Sequence, residues 1–462
     1  MDIKVSVILP SLNVVNYIKE CMDSVLAQTL QEMEFICIDA GSTDGTWEIL
    51  QRYAEKDSRV RLVHSDKRSY GYQINLGIRQ AKGEYLGIVE TDDYIETDMY
   101  EELYKAAVEN DLDFVKAGFD VFITPSEKER YQLYYPMADF GRIISSAYFT
   151  EKQLSNDTYI WNGIYKLSFL RKYHICLNES PGAAFQDCGF RYQVDIHLRR
   201  GMFLDRSFYR YRRDNGASST YNPNCVKYNL AECKYLRGWI EEKGITDRKI
   251  RSFAARETVM MAIEPYITFR GCAAPDEATL CALDEFREII KRDRENGLLK
   301  QEEMLPKHWI EMRLFTESPE AFETYIAVSA DARYAPYRQF IKEMSKKKQI
   351  VIFSAGKVSS YALCLMRMNG IDTVQIFCDN SEGKWGSEYM GYPVLPPEEA
   401  FKKYPQAHYL IANRVHSAAI QAQLSSEGMA EEQVSVYTLP LLPMECTNYF
   451  LKLKETAYGP AK

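Results

Sequence analysis

Three polar clusters near the start of the chain carry atoms that could do chemistry: Pro10-Ser11-Leu12-Asn13, Asp39, and Glu90-Thr91-Asp92-Asp93. Neighbouring carboxylates at a strand end suit a hard divalent cation, which takes few protein oxygens and completes its shell with phosphate oxygens and water. No G-x-G-x-x-G follows the first apolar run, so the chain lacks the cradle in which backbone amides at a helix end hold a dinucleotide. The ligand implied is a diphosphate carried with its metal.

For these clusters to meet, each must lie just beyond a strand of one open sheet, because ligands bind there in parallel α/β folds. The hydrophobic pattern predicts such strands at Val5 to Leu9, Phe35 to Ile38, Val60 to Val63 and Tyr85 to Val89. Amphipathic helices are predicted between and after them, at Tyr17 to Gln28, Thr46 to Tyr53, Gln73 to Ala81 and Thr97 to Glu109. Strand and helix alternating in this way predict a parallel sheet covered on both faces. Beyond Phe122 the pattern loosens, and some antiparallel strand is expected up to Tyr211. From Pro223 to about Lys348 the period becomes helical, with one stripe of Val226, Leu230, Cys233, Leu236 and Ile240 and a second of Leu280, Leu283, Phe286 and Ile290. An α/β pattern restarts at Ile350 to Phe353. The expected division is therefore residues 1–220, a helical domain at 221–346, a Rossmann-like domain at 347–440 and a tail at 441–462.

Bulk properties narrow the class. The 462 residues hold 57 Lys plus Arg against 65 Asp plus Glu, a net charge of −8, which argues against a nucleic-acid partner. A chain of this length exceeds a single core and should form two or three domains. Its 11 cysteines include no C-x-x-C pair, so reduced core thiols are expected in place of disulfides or zinc. Met1-Asp2-Ile3-Lys4 runs straight into a strand pattern, and the expectation is a cytoplasmic protein whose membrane contact, if any, is peripheral at the inner face.

Five motifs in order, Val5-Ser6-Val7-Ile8-Leu9-Pro10, Asp39-Ala40-Gly41-Ser42-Thr43-Asp44-Gly45, Asn75-Leu76-Gly77, Ala81-Lys82-Gly83-Glu84-Tyr85 and Glu90-Thr91-Asp92-Asp93, make the first half resemble inverting nucleotide-sugar glycosyltransferases of the GT-A fold. Trp161 to Lys166, Pro181-Gly182-Ala183, Phe185-Gln186-Asp187 and Tyr209 to Ser219 are similar to a bacterial polysaccharide-synthesis branch. The resemblance implies a GT-A sheet, a helical middle and a Rossmann-like appendage. It further implies that Asp39 meets the nucleotide base, that Pro10, Ser11 and Asn13 line the nucleoside, and that Asn75 and Thr91 join the nucleotide-sugar contacts. Asp92 would ligate Mn²⁺ or Mg²⁺. Glu90 stands where the usual D-x-D begins and would reach either the metal or the ribose, while Ala40 replaces a common second aspartate. Asp187 matches the base that takes a proton from the acceptor hydroxyl. Arg212, Arg213 and Ser218 would close over the diphosphate or hold an acceptor phosphate, and Trp161 would stack on a sugar.

Each residue also has a plainer reading. Asp39 could cap a turn, Asp93 could start a helix, Asp187 could be a surface carboxylate and Trp161 could belong to the core. Adjacent strand residues point to opposite faces, so at most one of Arg212 and Arg213 should face the site. In the last domain, Ser354 and Ser359 interrupt the glycine pattern around Gly356, and Asp379 ends the second strand. That disfavours tight pyrophosphate binding and favours a scaffold. The leading expectation is a metal-dependent inverting sugar transferase that uses a UDP-sugar, with a glycan or lipid-linked acceptor and with homo-oligomerisation left open. The alternatives are a nucleotidyltransferase or sugar-nucleotide modifying enzyme, and a noncatalytic sugar-binding scaffold.

Overall fold

The computed structural model describes residues 2–126, 129–135, 139–151, 159–213, 215, 224–270 and 275–439. By packing they fall into two compact units. The first comprises Met1–Val121, Tyr134–Phe269 and Ala273–Thr324, and the second centres on the chain from Tyr325 onward.

The first unit opens with β1 (Val5–Ser11), α1 (Ile18–Leu26), β2 (Met33–Asp39), α2 (Thr46–Lys56), β3 (Val60–His64), α3 (Tyr70–Gln80) and β4 (Tyr85–Ile88). Every residue of β1, β2 and β4 is buried, as expected of strands covered on both faces. Then come β5 (Tyr94–Ile95), α4 (Met99–Glu109), β6 (Phe114–Ser126), β7 (Glu129–Tyr135), β8 (Ile143–Ile144), α5 (Ser146–Glu151), β9 (Gly163–Lys166), α6 (Leu167–Lys172), α7 (Gln186–His197) and β10 (Gly201–Arg212).

Among the described residues the sheet runs β3-β2-β1-β4-β9-β6-β10-β5. The expected parallel pattern holds only from β3 to β4, because β9 pairs antiparallel to β4 and β6 antiparallel to β9. One sheet thus joins a parallel half, which ends in the three polar clusters, to an antiparallel half whose first strands, β5 and β6, begin before the pattern loosens at Phe122. The Ala81-Lys82-Gly83-Glu84-Tyr85 motif lies at the opposite, amino end of β4. There the Gly83 amide donates to Ser6 Oγ at 2.7 Å, and a Cβ on Gly83 would come within 2.6 Å of the Ser6 nitrogen, so the motif serves strand packing.

Helices follow: α8 (Cys225–Glu242), α9 (Arg248–Arg270), α10 (Glu277–Glu295), α11 (Pro306–Glu317) and α12 (Pro319–Met344). The first predicted stripe is buried along α8. In the second, Leu283, Phe286 and Ile290 are buried, whereas Leu280, in the first turn of α10, is 44% exposed. The helical run packs within the first unit as far as Thr324.

The second unit contains β11 (Ile350–Phe353), α13 (Lys357–Met368), β12 (Val374–Cys378), β13 (Glu388–Tyr389), β14 (Tyr392–Leu395), α14 (Pro397–Lys403), β15 (His408–Ile411), α15 (Ser417–Ser426) and β16 (Val434–Val436). Its strand order is β13-β14-β12-β11-β15-β16, parallel except for β13, which is Rossmann-like with the reversal beside β11. Tyr337, Phe340 and Met344 from the end of α12 belong to its core.

Candidate functional site

The carboxyl ends of β1, β2 and β4 are laced together before any ligand is considered. Thr91 donates its hydroxyl to the Pro10 carbonyl at 2.7 Å, the Ala40 amide donates to the Ser11 carbonyl, and Gln73 from α3 donates to the carbonyls of both Ser11 and Ile38. Ser11 Oγ is buried and has no hydrogen-bond partner among the described residues. A buried hydroxyl in that state is the kind of group a ligand atom satisfies. Asn13, at φ 55°, sits exposed on the next turn, where its Oδ1 accepts from the Thr43 amide.

Asp39 is 1% exposed and accepts from the amides of Gly41 and Ser42, each at 2.9 Å, and from Ser42 Oγ at 2.5 Å. Its turn-capping role is therefore real. Any contact with a nucleobase would use the acceptor capacity that these three donors leave. Asn75 is committed in both directions to the main chain of Leu177, accepting from its amide and donating to its carbonyl, and it also donates to Glu179.

At the end of β4 the four-residue acidic run splits by direction. Asp93 turns inward, accepting from the Tyr209 hydroxyl at 2.8 Å and the Arg212 amide at 2.7 Å, which fastens β10 to this loop. Asp92 is half-buried on the crevice side and accepts from Asn215 Nδ2 at 2.8 Å. Glu90 accepts from the Tyr70 hydroxyl at 2.5 Å, while its own amide donates to Tyr209 Oη. Burial pushes Glu90 up to about 8, the Tyr70 hydrogen bond opposes the rise, and the charges of Asp92 and Asp187 add to it. Carboxylates crowded in this way would be relieved by a cation, so Asp92 and Glu90 fit a divalent metal.

Asp187 acts on the same groups from far along the chain. It lies in the first turn of α7, and its charge acts on both Glu90 and Tyr70. Burial raises its own pKa above the usual aspartate range, and the Arg191 charge and the amides of residues 187 and 188 pull it back. The segment before it is tied to the start of α3: Tyr70 N donates to the Gly182 carbonyl and Gly182 N donates to the Arg68 carbonyl.

Arg212 and Arg213 separate as strand alternation requires. Arg212 donates to the Asp92 carbonyl at 2.8 Å and to Glu20 at 2.6 Å, and its guanidinium lies over the Tyr17 ring. Arg213 donates to Tyr211 Oη and is 2% exposed. Trp161 is 6% exposed and stacks on Tyr209 with ring centroids 4.1 Å apart, inside a cluster with Phe119, Tyr159 and Tyr211. It belongs to the core and supports the site through Tyr209. Ser218 lies outside the described residues. Tyr70 and Glu20 complete the arrangement without any local sequence signal, while Tyr209 and Asn215 lie within the Tyr209 to Ser219 stretch; each acts on a partner at least 20 positions away.

Elsewhere in the first unit, Glu264, His308 and Glu311 gather in a group that could face a metal. Lys307 already places its ammonium 3.1 Å from Glu264 and 3.5 Å from Glu311 and supplies the positive charge itself. The described cysteine thiols are free, and among the described residues no helix is long and apolar enough to cross a membrane.

Residues 6–177 match the model of glycosyl transferase family 2. The chain is 31% identical to the uncharacterized glycosyltransferase EpsJ of Bacillus subtilis over 247 residues, 52% of this chain and 68% of that one. It is 29% identical to glycosyltransferase GlyA of Streptococcus pneumoniae over 226 residues, 47% of this chain but only 32% of GlyA. In structure it is similar to residues 1–349 of S. aureus TarS, solved with UDP-GlcNAc, at a TM-score of 0.54 and 18% identity, covering 72% of this chain and 92% of that one. That likeness gives the fold, GT-A. With the strand-end clusters, the aspartate delivered by α7 and these relatives together, the chain belongs to glycosyltransferase family 2 and is a glycosyltransferase.

Proposed function

We propose that this enzyme transfers a sugar, with inversion at C1, from a UDP-sugar to a hydroxyl of a glycan or lipid-linked acceptor in the synthesis of a bacterial surface polysaccharide. The observation that supports the reading is the end of β4, where Tyr70 holds Glu90 by a 2.5 Å hydrogen bond and the charge of Asp187, from the first turn of α7, acts on both. The nucleoside lies along Pro10 and Ser11, whose buried hydroxyl has no hydrogen-bond partner among the described residues. Asp92 and Glu90 would hold Mn²⁺ or Mg²⁺, which would offset the negative charge of the departing diphosphate.

Asp187 takes the proton of the acceptor hydroxyl as that oxygen forms its bond to C1. The bond from C1 to the diphosphate oxygen breaks on the opposite face, and the electron pair leaves with UDP. A base whose pKa stands above the ordinary carboxylate range lies closer to operating pH and is a better proton acceptor than an unperturbed aspartate. Glu90, held by Tyr70, stays oriented toward the donor side. The relatives support a polysaccharide setting by name only, and the bound UDP-GlcNAc of the TarS structure supports a UDP-sugar.

A panel of UDP-, GDP- and TDP-sugars with Mn²⁺, Mg²⁺ or chelator tests this reading by nucleotide release. UDP-sugar turnover that chelation abolishes is expected. Preference for another nucleotide, or turnover indifferent to the metal, would overturn the donor and metal assignments respectively.

A further inference from the structure

The N-cap residue of α7 contributes no side-chain cap, and the Asp187 carboxylate serves only the amides of residues 187 and 188. Phe185, at its N-cap, has φ 63° and makes no side-chain cap hydrogen bond. The free amides of a first helical turn need partners, above all in a buried setting. One partner comes from another helix: Glu232 of α8, 1% exposed, accepts from the Gly189 amide at 3.0 Å. Its other oxygen accepts from Asn178 Nδ2 at 3.0 Å, and Asn178 Oδ1 accepts from the Ser180 amide. The ring closes through Gln186, whose amide donates to Ser180 and to the Gly182 carbonyl while its oxygen accepts from Ala184 N. Gly189 allows the approach, since a Cβ there would stand 2.3 Å from Glu232 Oε1.

We propose that Glu232 is a positioning residue for the transfer reaction, a cap lent by α8 that holds the first turn of α7 and the Asn178–Phe185 segment in one geometry and so aims Asp187. The inference rests on the reading of Asp187 as the base. The hydrogen bonds of Glu232 run to Gly189 and Asn178, away from β1 and β2 where the nucleoside is expected, so its action falls on chemistry and not on donor affinity. Displacing a reacting group by about an ångström is enough to lose about a hundredfold in rate.

UDP release from whichever UDP-sugar turns over, with water as acceptor, and UDP affinity by calorimetry together provide the test. Glu232→Ala should lower kcat by about 10- to 100-fold while the Kd for UDP stays within about twofold. Glu232→Gln, which keeps an oxygen for the Gly189 amide but loses the acceptor for Asn178 Nδ2, should recover part of the rate. Gly189→Ala, which pushes on the same bond from the helix side, should reproduce the loss and serves if Glu232→Ala folds poorly. In the Asp187→Asn background Glu232→Ala should cause little further loss, because both act on one step. Rate losses that multiply, or an equal loss of UDP affinity and rate, would overturn the positioning role while leaving the base intact. Normal turnover by Asp187→Asn would instead overturn the base reading itself.

Discussion

Asp92, Asp93 and Glu90 are near neighbours in sequence, yet their surroundings give them three different roles. Asp93 is held by Tyr209 and Arg212, Glu90 by Tyr70, and Asp92 faces the crevice beside Asn215. Asp92→Asn should therefore reduce UDP affinity in Mn²⁺ to its metal-free level, since a neutral amide oxygen replaces a charged ligand. Calorimetry with and without Mn²⁺ checks this, and an unchanged metal increment would move the assignment to Glu90. Asp187→Asn should leave UDP affinity nearly intact and lower transfer by about 100-fold or more, the scale of lost general-base help. The pH profile follows from the same group. Because burial raises the Asp187 pKa, the ionised base forms only above a value higher than an ordinary aspartate's, so kcat should fall on the acid side at a pH above that range. A profile flat down to pH 4 would contradict it.

At the scale of elements, α3 is held closely against the segment that leads into α7. The Ser69-Gly182 bridge and the Asn75 contacts to Leu177 leave no room between α3 and residues 177–178. A Cβ on Gly71 would lie 1.9 Å from the Asn178 carbonyl oxygen, an atom that cannot swing aside. Gly71→Ala should lower stability by about 1–3 kcal/mol, the usual penalty of overpacking, and should reduce turnover more than UDP affinity, because the displaced segment leads to Asp187. Urea denaturation and the kcat-to-Kd comparison measure both effects. Full stability would mean that the two segments can part without consequence.

For the whole molecule, the second unit retains Rossmann-like strand order but has closed the site that order usually offers. Asp379 Oδ2 accepts from the Ala355 amide at 2.7 Å and from Lys384 at 3.0 Å, and its Oδ1 accepts from Ser381 N. The Gly356 amide, which would face a pyrophosphate, donates to Ser359 Oγ. Ser354 occupies φ 92°, a conformation glycine adopts more easily. With the carboxylate and the leading amide both engaged internally, NADH should show no saturable binding by fluorescence or thermal shift. Micromolar saturation would refute the closed-site reading and revive the sugar-nucleotide modifying alternative.

Local pattern was enough to read the strands and helices of the parallel half, because alternation and helical period are properties of neighbouring residues and buried strands show them directly. Val5–Ser11, Met33–Asp39 and Tyr85–Ile88 fall where the apolar runs predicted them, with the polar clusters at their ends. The ordered motifs likewise made the family readable from residues alone. What a side chain faces is a different matter. Whether Asn75 held nucleotide or backbone, whether Trp161 met sugar or Tyr209, and which carboxylate of Glu90, Asp92 and Asp93 turned inward were decided by partners from β10 and the loop before α7. The Gly189 amide finds its acceptor 43 positions away in Glu232, a separation at which no periodicity survives. Hydrogen bonds and charge act over a few ångströms of space, so only the folded chain could bring Asp187 to Glu90 and give Glu232 its place.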